Sequence, residues 1–264
     1  MTTPQATQGS AATNGDLWGT RARDWAELQE PQHRPFYEDA IRRLGIGSGT
    51  ALLDVGCGTG GFCRLAADAG ADVSGIDAAA ASIEIARERV LVGRFAVGDI
   101  QFLPYDDDSF DVVSSNFGLV FAPDHANVAS ELARVSRTGA RLGFTAWKPN
   151  PRLGELYRRF TEEPLEGREA YEWGREDHVE DMLGEDFELD FEDGTLWLEA
   201  QSGEEIWELF SQSAPPVVSL VRRLDEADAE AFHRAFVELY EGYRVEGDGV
   251  RAPRRYLLVL GRRK

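Results

Sequence analysis

The residues able to do chemistry cluster around one glycine-rich stretch, LLDVGCGTGGF, from Leu52 to Phe62. Gly56, Gly58 and Gly61 satisfy the G-x-G-x-x-G spacing of a nucleotide-binding loop. Glycines there permit a tight turn and a close approach of backbone to ligand, and the following helix aims its first N–H groups at any anion. Asp54 stands two residues before the first glycine, where a carboxylate accepts from a cationic amine and repels a pyrophosphate. Asp77 follows Gly56 by 21 residues, the usual distance to an acid that accepts from ribose hydroxyls. Asp99, in VGDIQFLPYDDDSFDVV, is placed to receive an exocyclic amine of adenine. Aspartates at strand ends also serve as plain turn residues, so each has an ordinary alternative. Three at three successive strand ends point instead to a ligand site.

The elements that must position these residues follow from hydrophobic periodicity. RPFYEDAIRRLGIGSG reads as a helix with Pro35 in its first turn and Phe36, Ala40, Ile41 and Leu44 on its apolar face. ALLDVG, DVSGID, RFAVGD, FDVVSSN and RLGFTAW read as five strands, with helices after the first, second and fourth and the turn RTGA before the fifth. Strands alternating with helices of this length imply an α/β fold, a parallel sheet with helices on both faces. The expected organisation is a disordered tail over 1–15, an N-terminal helical lid over 16–49, a sheet-based core over 50–147, an accessory acceptor region over 148–253, and a final core strand over 254–264. Within the accessory region FELDFEDGTLWLEA predicts a strand pair near 187–200 turning at Asp193-Gly194. Residues 203–243 read as mostly helical with a break at APPVV.

Composition narrows the function classes. With 47 acidic and 28 basic residues the net charge is −19, a field that opposes binding to nucleic-acid phosphates. The two cysteines, Cys57 and Cys63, match no zinc spacing and form no disulfide framework, and DDD at 106–108 reads as a solvated loop, so no metal is expected. The polar N-terminus lacks the blocks of a signal peptide, and no apolar run approaches the roughly 20 residues that cross a bilayer. A cytoplasmic protein without a membrane span is the expectation.

LLDVGCGTGG, VSGID, AVGDIQFLPYDDDSFDVVSSNFGL and ELARVSRTGARLGFTAW together resemble the class I S-adenosylmethionine-dependent methyltransferases, most of all the group that includes ubiquinone- and menaquinone-biosynthesis enzymes. The similarity covers about Thr50 to Trp147. It implies a Rossmann-like, seven-stranded, mostly parallel sheet whose last strand is antiparallel, with S-adenosylmethionine lying over the first two strands. It also implies roles: Gly56, Cys57, Gly58 and Gly60 against the methionine and ribose, Asp54 near the methionine amine, Asp77 with Ala78 at the ribose, Asp99 and Ile100 at the adenine, and Asn116 with Phe117 near the methyl sulfonium. Phe117 has core packing as its ordinary alternative. The turn RTGA replaces the family's usual Pro-Gly-Gly, and no N-P-P-Y or D-P-P-Y follows the fourth strand, which disfavours amino methylation of DNA bases.

Methyl transfer from a sulfonium is a direct displacement that asks the protein for alignment and desolvation, and a general base only for some acceptors. LWGTRARDWAELQEPQHRPFY supplies lid candidates Trp18, Arg23, Trp25, His33 and Tyr37, with Trp18 and Arg23 expected at the cofactor and His33 the candidate base; the tryptophans could equally anchor a helix. His125 reads as a helix start, and His178 and His233 as surface residues. The expected partner is a small-molecule acceptor. Two other readings stand beside methyl transfer: a nicotinamide-dependent oxidoreductase and a non-catalytic regulator that binds the same cofactor.

Overall fold

The computed structural model describes residues 10–161 and 169–264. Eight strands form one sheet: β1 (Ala51–Val55), β2 (Asp72–Asp77), β3 (Arg94–Val97), β4 (Phe110–Asn116), β5 (Ser136–Trp147), β6 (Phe187–Ala200), β7 (Arg244–Val245) and β8 (Gly249–Arg263). Their order is β3-β2-β1-β4-β5-β8-β6, with β7 as a short addition to β8. The first five strands pair in parallel, and β8 runs antiparallel to both neighbours, β5 and β6. This is the expected mostly parallel sheet with a reversed last strand, seven strands plus one. Strand order reverses at β1, so the chain opens a crevice beyond the ends of β1 and β4, where sheets of this class bind ligands. β1 tolerates that central place because Leu52, Leu53 and Val55 are wholly buried between two helical layers.

One layer packs Phe62, Cys63, Ala66, Ile83 and Ala86 under the sheet, and the other packs Val128, Leu132, Val135 and Trp173 over it. Gly60, with φ +80°, lets the helix Gly61–Asp68 meet the helix Ala80–Arg89: a Cβ there would lie 2.9 Å from that of Ala86. Among the described residues no helix is long and apolar enough to cross a membrane.

Several sequence expectations change. The tail expected over 1–15 is helical from Ser10, in the helix Ser10–Gly19; residues 1–9 lie outside the described residues. The turn RTGA is part of β5, entered through a register shift against β4, with Gly139 at φ +78°. The strand pair near 187–200 is one continuous strand, β6, paired with β8 from Phe187↔Arg263 to Ala200↔Val250. Gly194 makes no turn: it faces Tyr256, whose ring occupies the space of a Cβ, 2.0 Å from the ring atom Cζ. The glycine admits an aromatic ring to the sheet face. Likewise the final strand begins at Gly249 and not at 254.

The pairing of β5 with β8 stops at Trp147↔Tyr256, whereas β6 and β8 run on together to Ala200↔Val250. That two-stranded extension carries a second core, built from the helices Gly203–Ser213, Pro215–Arg223 and Glu226–Glu241 with the helix Pro151–Arg158. Pro215 and Pro216 start a helix there where the sequence suggested a break, because proline is tolerated in a first turn. Of the accessory region expected after Trp147, residues 162–168 lie outside the described residues. Phe232 is wholly buried and touches Tyr157, Phe160, Trp207 and Phe236. Phe232→Ala is expected to cost about 3–5 kcal/mol, as large-to-small changes in a closed core do, read as a lowered urea midpoint. A midpoint equal to wild type would mean that this second core is not packed as described.

Candidate functional site

A cavity of about 240 Å³ opens at the crevice, lined by the lid, the glycine loop and the accessory helices. Its floor is the loop after β1. Gly56 (φ +72°) and Gly58 (φ +51°) make the turn, and Gly56 lies so close to Gly118 that a Cβ on it would stand 2.8 Å from that Cα. Five N–H groups of the turn are already engaged. Gly56 and Cys57 donate to the Ile76 carbonyl, Gly60 donates to that of Cys57, Gly58 donates to Asp77 Oδ2 at 2.8 Å, and Gly61 donates to Glu30 Oε1 at 3.0 Å. In a dinucleotide site such N–H groups and the helix N-terminus face a pyrophosphate. Here the carboxylates of Asp77 and Glu30 take those places.

Four carboxylates border this half of the cavity: Glu30, Asp54, Asp77 and Asp99. Asp54 is in register with Ser114 of β4, whose hydroxyl donates to Oδ1 at 2.8 Å, while the Cys63 thiol lies 3.5 Å from Oδ2. Burial pushes the Asp54 carboxyl up to about 7; the bonds from Ser114 and Cys63 oppose this, and Asp77 and Glu30 add to it. Asp77 is also raised by burial, against the N–H bonds from Ala79 and Gly58. Asp99 accepts from the backbone and side chain of Gln101. Glu30 accepts from Thr59 Oγ1 at 2.8 Å and pairs with Arg89, which reaches it from the helix Ala80–Arg89. The cysteines are free and buried, and burial raises the Cys57 thiol to about 11, so neither is a thiolate nucleophile.

The opposite half is aromatic. Phe117 stands at the end of β4 with φ +61°, an uncommon conformation for a bulky residue, and its ring stacks on Trp147 at 3.8 Å and 11°. His33 packs against Trp25, Phe36, Tyr37, Phe117 and Trp147. Burial, then the nearby Arg254, pulls the imidazole down to about 3, against the Gln29 backbone carbonyl. Its ring is neutral at physiological pH. Arg254 covers the Trp147 ring at 4.1 Å. Buried polar atoms without a partner gather on the lid at the cavity: Trp18 Nε1, Gln29 Nε2 and His33 Nδ1. The lid itself is pinned by Asn14 Nδ2, which donates to the Phe121 carbonyl at 2.8 Å, and by Trp18, edge-on to Trp25 and Phe121.

Most of the sequence-derived site residues line this one cavity: Trp18, His33, Asp54, Gly56, Cys57, Gly58, Asp77, Ala78, Asp99, Ile100, Asn116 and Phe117. Two do not. Gly60 turns toward Ala86 and serves helix packing, and Arg23, largely exposed, faces Glu88 at 3.5 Å on the outer side of the lid. His178, expected at the surface, is only partly exposed and contacts His125.

A methyltransferase-domain family matches residues 53–144. Demethylmenaquinone methyltransferase of Shouchella clausii is 30% identical over 163 residues, 55% of this chain and 69% of that protein. The chain belongs to the class I S-adenosylmethionine-dependent methyltransferases. An uncharacterized protein of Mycobacterium tuberculosis is 32% identical over 185 residues, 66% of each chain, so this chain spans just under two thirds of that relative's length. The crystal structure of the YcgJ protein of Bacillus subtilis shares the fold, with a TM-score of 0.62 at 18% identity over 88% of this chain and 99% of that one.

Sequence reasoning missed several of the residues that line the cavity. Glu30 and Gln29 belong to the quoted lid stretch but carry no motif. Arg254 was hidden in a segment legible only as a strand. The pH dependence of the ligand-free protein gives a direct test of the donor half. Because Asp54 titrates near 7 when folded and near 3.8 when unfolded, its contribution to stability is present below about pH 4 and is lost as pH rises toward 7. Asp54→Asn is expected to remove that slope, making the ligand-free variant about 2–4 kcal/mol more stable at pH 8 and nearly equal to wild type at pH 3.5. Thermal melts at the two pH values check this; a variant less stable at pH 8 would show that the buried carboxylate is already compensated.

Proposed function

We propose that this chain transfers a methyl group from S-adenosylmethionine to a small, flat, partly apolar acceptor bearing an ionisable oxygen. The observation that carries the reading is the division of one cavity into a carboxylate half and an aromatic half with a cation. The cofactor fits the carboxylate half. Its ammonium and sulfonium are positive, and buried carboxylates raised by desolvation gain from a cation beside them. Asp54 then faces the amine end, Asp77 keeps lone pairs for the ribose hydroxyls, and Asp99 with Ile100 borders the base. A pyrophosphate would meet Asp77 and Glu30 where it needs N–H donors, which disfavours the nicotinamide alternative.

When bound, S-adenosylmethionine supplies a methyl carbon activated by the adjoining positive sulfur. The chain's part is to align the acceptor and keep water out. Phe117 and Trp147, stacked on each other, form the flat wall against which an acceptor ring lies. Asn116, beside Phe117, offers a side-chain amide to hold the acceptor's polar edge. Arg254 favours the ionised form of an acceptor oxygen through its charge. His33, held neutral, accepts a hydrogen bond at Nδ1, but so depressed an imidazole is a weak proton acceptor. Its contribution is therefore mainly orientation, with the acceptor arriving ionised beside Arg254. The name of the Shouchella relative, a demethylmenaquinone methyltransferase, supports an acceptor of this kind.

Calorimetry with S-adenosylmethionine tests the donor half: binding in the micromolar range is expected, with proton release near pH 7 as the cation lowers Asp54. Asp77→Ala is expected to weaken that binding by about 1–3 kcal/mol. No heat for S-adenosylmethionine, or comparable binding of NADH, would overturn the assignment. Transfer itself is read by S-adenosylhomocysteine release across phenols, quinols, acids and amines. Turnover with ionisable-oxygen acceptors is expected, with no inflection from His33 between pH 5 and 9. Binding without turnover on any class would favour the regulatory alternative.

A further inference from the structure

Outside the cavity, three metal-capable side chains from three separate elements converge on one point. His125 opens the helix His125–Val135, Glu172 belongs to the short 3-10 segment Glu169–Gly174, and His178 lies in the helix Glu176–Leu183. His125 Nδ1 is 2.8 Å from His178 Nε2. Glu172 Oε2 is 3.9 Å from His125 Nδ1 and 3.9 Å from His178 Nδ1. One ligand atom from each residue lies within 4.8 Å of the others.

We propose that His125, Glu172 and His178 form a binding site for a divalent transition ion of the zinc class, separate from the methyl-transfer cavity. Two imidazoles and one carboxylate are a donor set that zinc accepts in a four-coordinate site, leaving one position for water. With zinc bonds of about 2.0–2.1 Å, tetrahedral ligand atoms stand about 3.3–3.4 Å apart. His125 Nδ1 stands 2.8 Å from His178 Nε2 and 3.9 Å from Glu172 Oε2, and the three ligand atoms lie within 4.8 Å of one another, so side-chain adjustments of about 0.5–1.5 Å, mostly at the accessible Glu172 carboxylate, bring them to that spacing. Nitrogen donors exclude magnesium and calcium as the natural occupants, since those ions select oxygen.

The surroundings suit an ion. His125 is 7% exposed and packs on Trp173, which is itself wholly buried and also meets His178 edge-on, so both rings rest on a rigid base. Glu172 is 43% exposed, which leaves an entry path from solvent. The net charge of −19 raises the local concentration of cations. In the ion-free protein one imidazole donates its proton to the other. Ion binding needs both facing lone pairs, so that proton moves to the ring's other nitrogen or leaves to solvent.

The site also has a structural consequence. The 3-10 segment holds Glu172 at the ion site and Tyr171 at the cavity wall. An ion joining Glu172 to both helices would fix the segment that sets one side of the acceptor pocket.

The test uses the full chain stripped with chelator, without any methyl donor, so its outcome is independent of the methyl-transfer reading. Zinc titrated against a chromophoric chelator is expected to show one tightly held ion per chain, and cobalt(II) the intense visible absorption of a tetrahedral site. Zinc should raise the melting temperature of the wild type. His178→Gln, at the accessible edge, is expected to weaken zinc binding by about tenfold or more, at least the effect of losing a supporting contact to a ligand. Glu172→Gln is the second variant if the first folds poorly. No stoichiometric uptake by the wild type, or uptake unchanged in both variants, would overturn the proposal and leave an ordinary imidazole pair.

Discussion

The structure of the site depends on one clasp, the pair of hydrogen bonds that Asp77 accepts from Gly58 and Ala79. It ties the loop after β1 to the end of β2, and with the Ile76 carbonyl, which receives the Gly56 and Cys57 N–H groups, it fixes the glycine turn. Glu30 performs the same task from the lid, receiving Gly61 at the head of the next helix. Anions are thus built into the places where a dinucleotide fold would receive its phosphates. On the proposed reading, the same turn geometry, closed by carboxylates, suits a cationic cofactor better than a pyrophosphate.

That arrangement carries a cost in the ligand-free chain. Asp54 and Asp77 are both held above their ordinary range, first by burial, and they stand on one side of one small cavity. Removing a carboxylate from water is expensive unless a positive partner arrives. On the proposed reading, a cation bound beside them offsets part of that cost. Phe117 adds a smaller strain of the same kind at the cavity's midpoint. A left-handed backbone at a bulky residue costs about 1 kcal/mol or more and persists where surrounding packing enforces it. Here the contact of Gly118 with Gly56 and the stack on Trp147 do so.

The core was legible because its signals are local and backbone-driven. Strand periodicity, the glycine spacing and three strand-end aspartates all lie between Leu52 and Asp99, and each reports a conformation or charge that the chain must place at one end of the sheet. The failures have physical causes of a different kind. Asp193-Gly194 has the composition of a turn, yet the glycine exists to admit the Tyr256 ring, a partner some sixty residues away. Gly60 and Arg23 were read as ligand contacts, but one is a helix-packing glycine and the other an exterior ion-pair residue. Glu30 and Arg254 reach the cavity only through tertiary placement, and nothing in their neighbours' spacing reports it. His125 and His178, fifty-three residues apart, illustrate the same limit.

The extension of β6 and β8 beyond β5 connects these observations. It lifts Pro253, Arg254 and Arg255 above the sheet to the cavity, and it gives the accessory helices a separate core on which to rest. On the proposed reading, acceptor recognition is carried by a layer with a hydrophobic cluster of its own, apart from the glycine loop. Substitutions in that layer can reshape the aromatic wall while Asp54, Asp77 and Glu30 stay fixed. The 3-10 segment at Glu169–Gly174 lies where the two layers meet: Trp173 belongs to the sheet core, Tyr171 to the cavity and Glu172 to the histidine pair. On the proposed reading the fold therefore separates a donor site held by backbone geometry from an acceptor site bordered by side chains packed around one short segment.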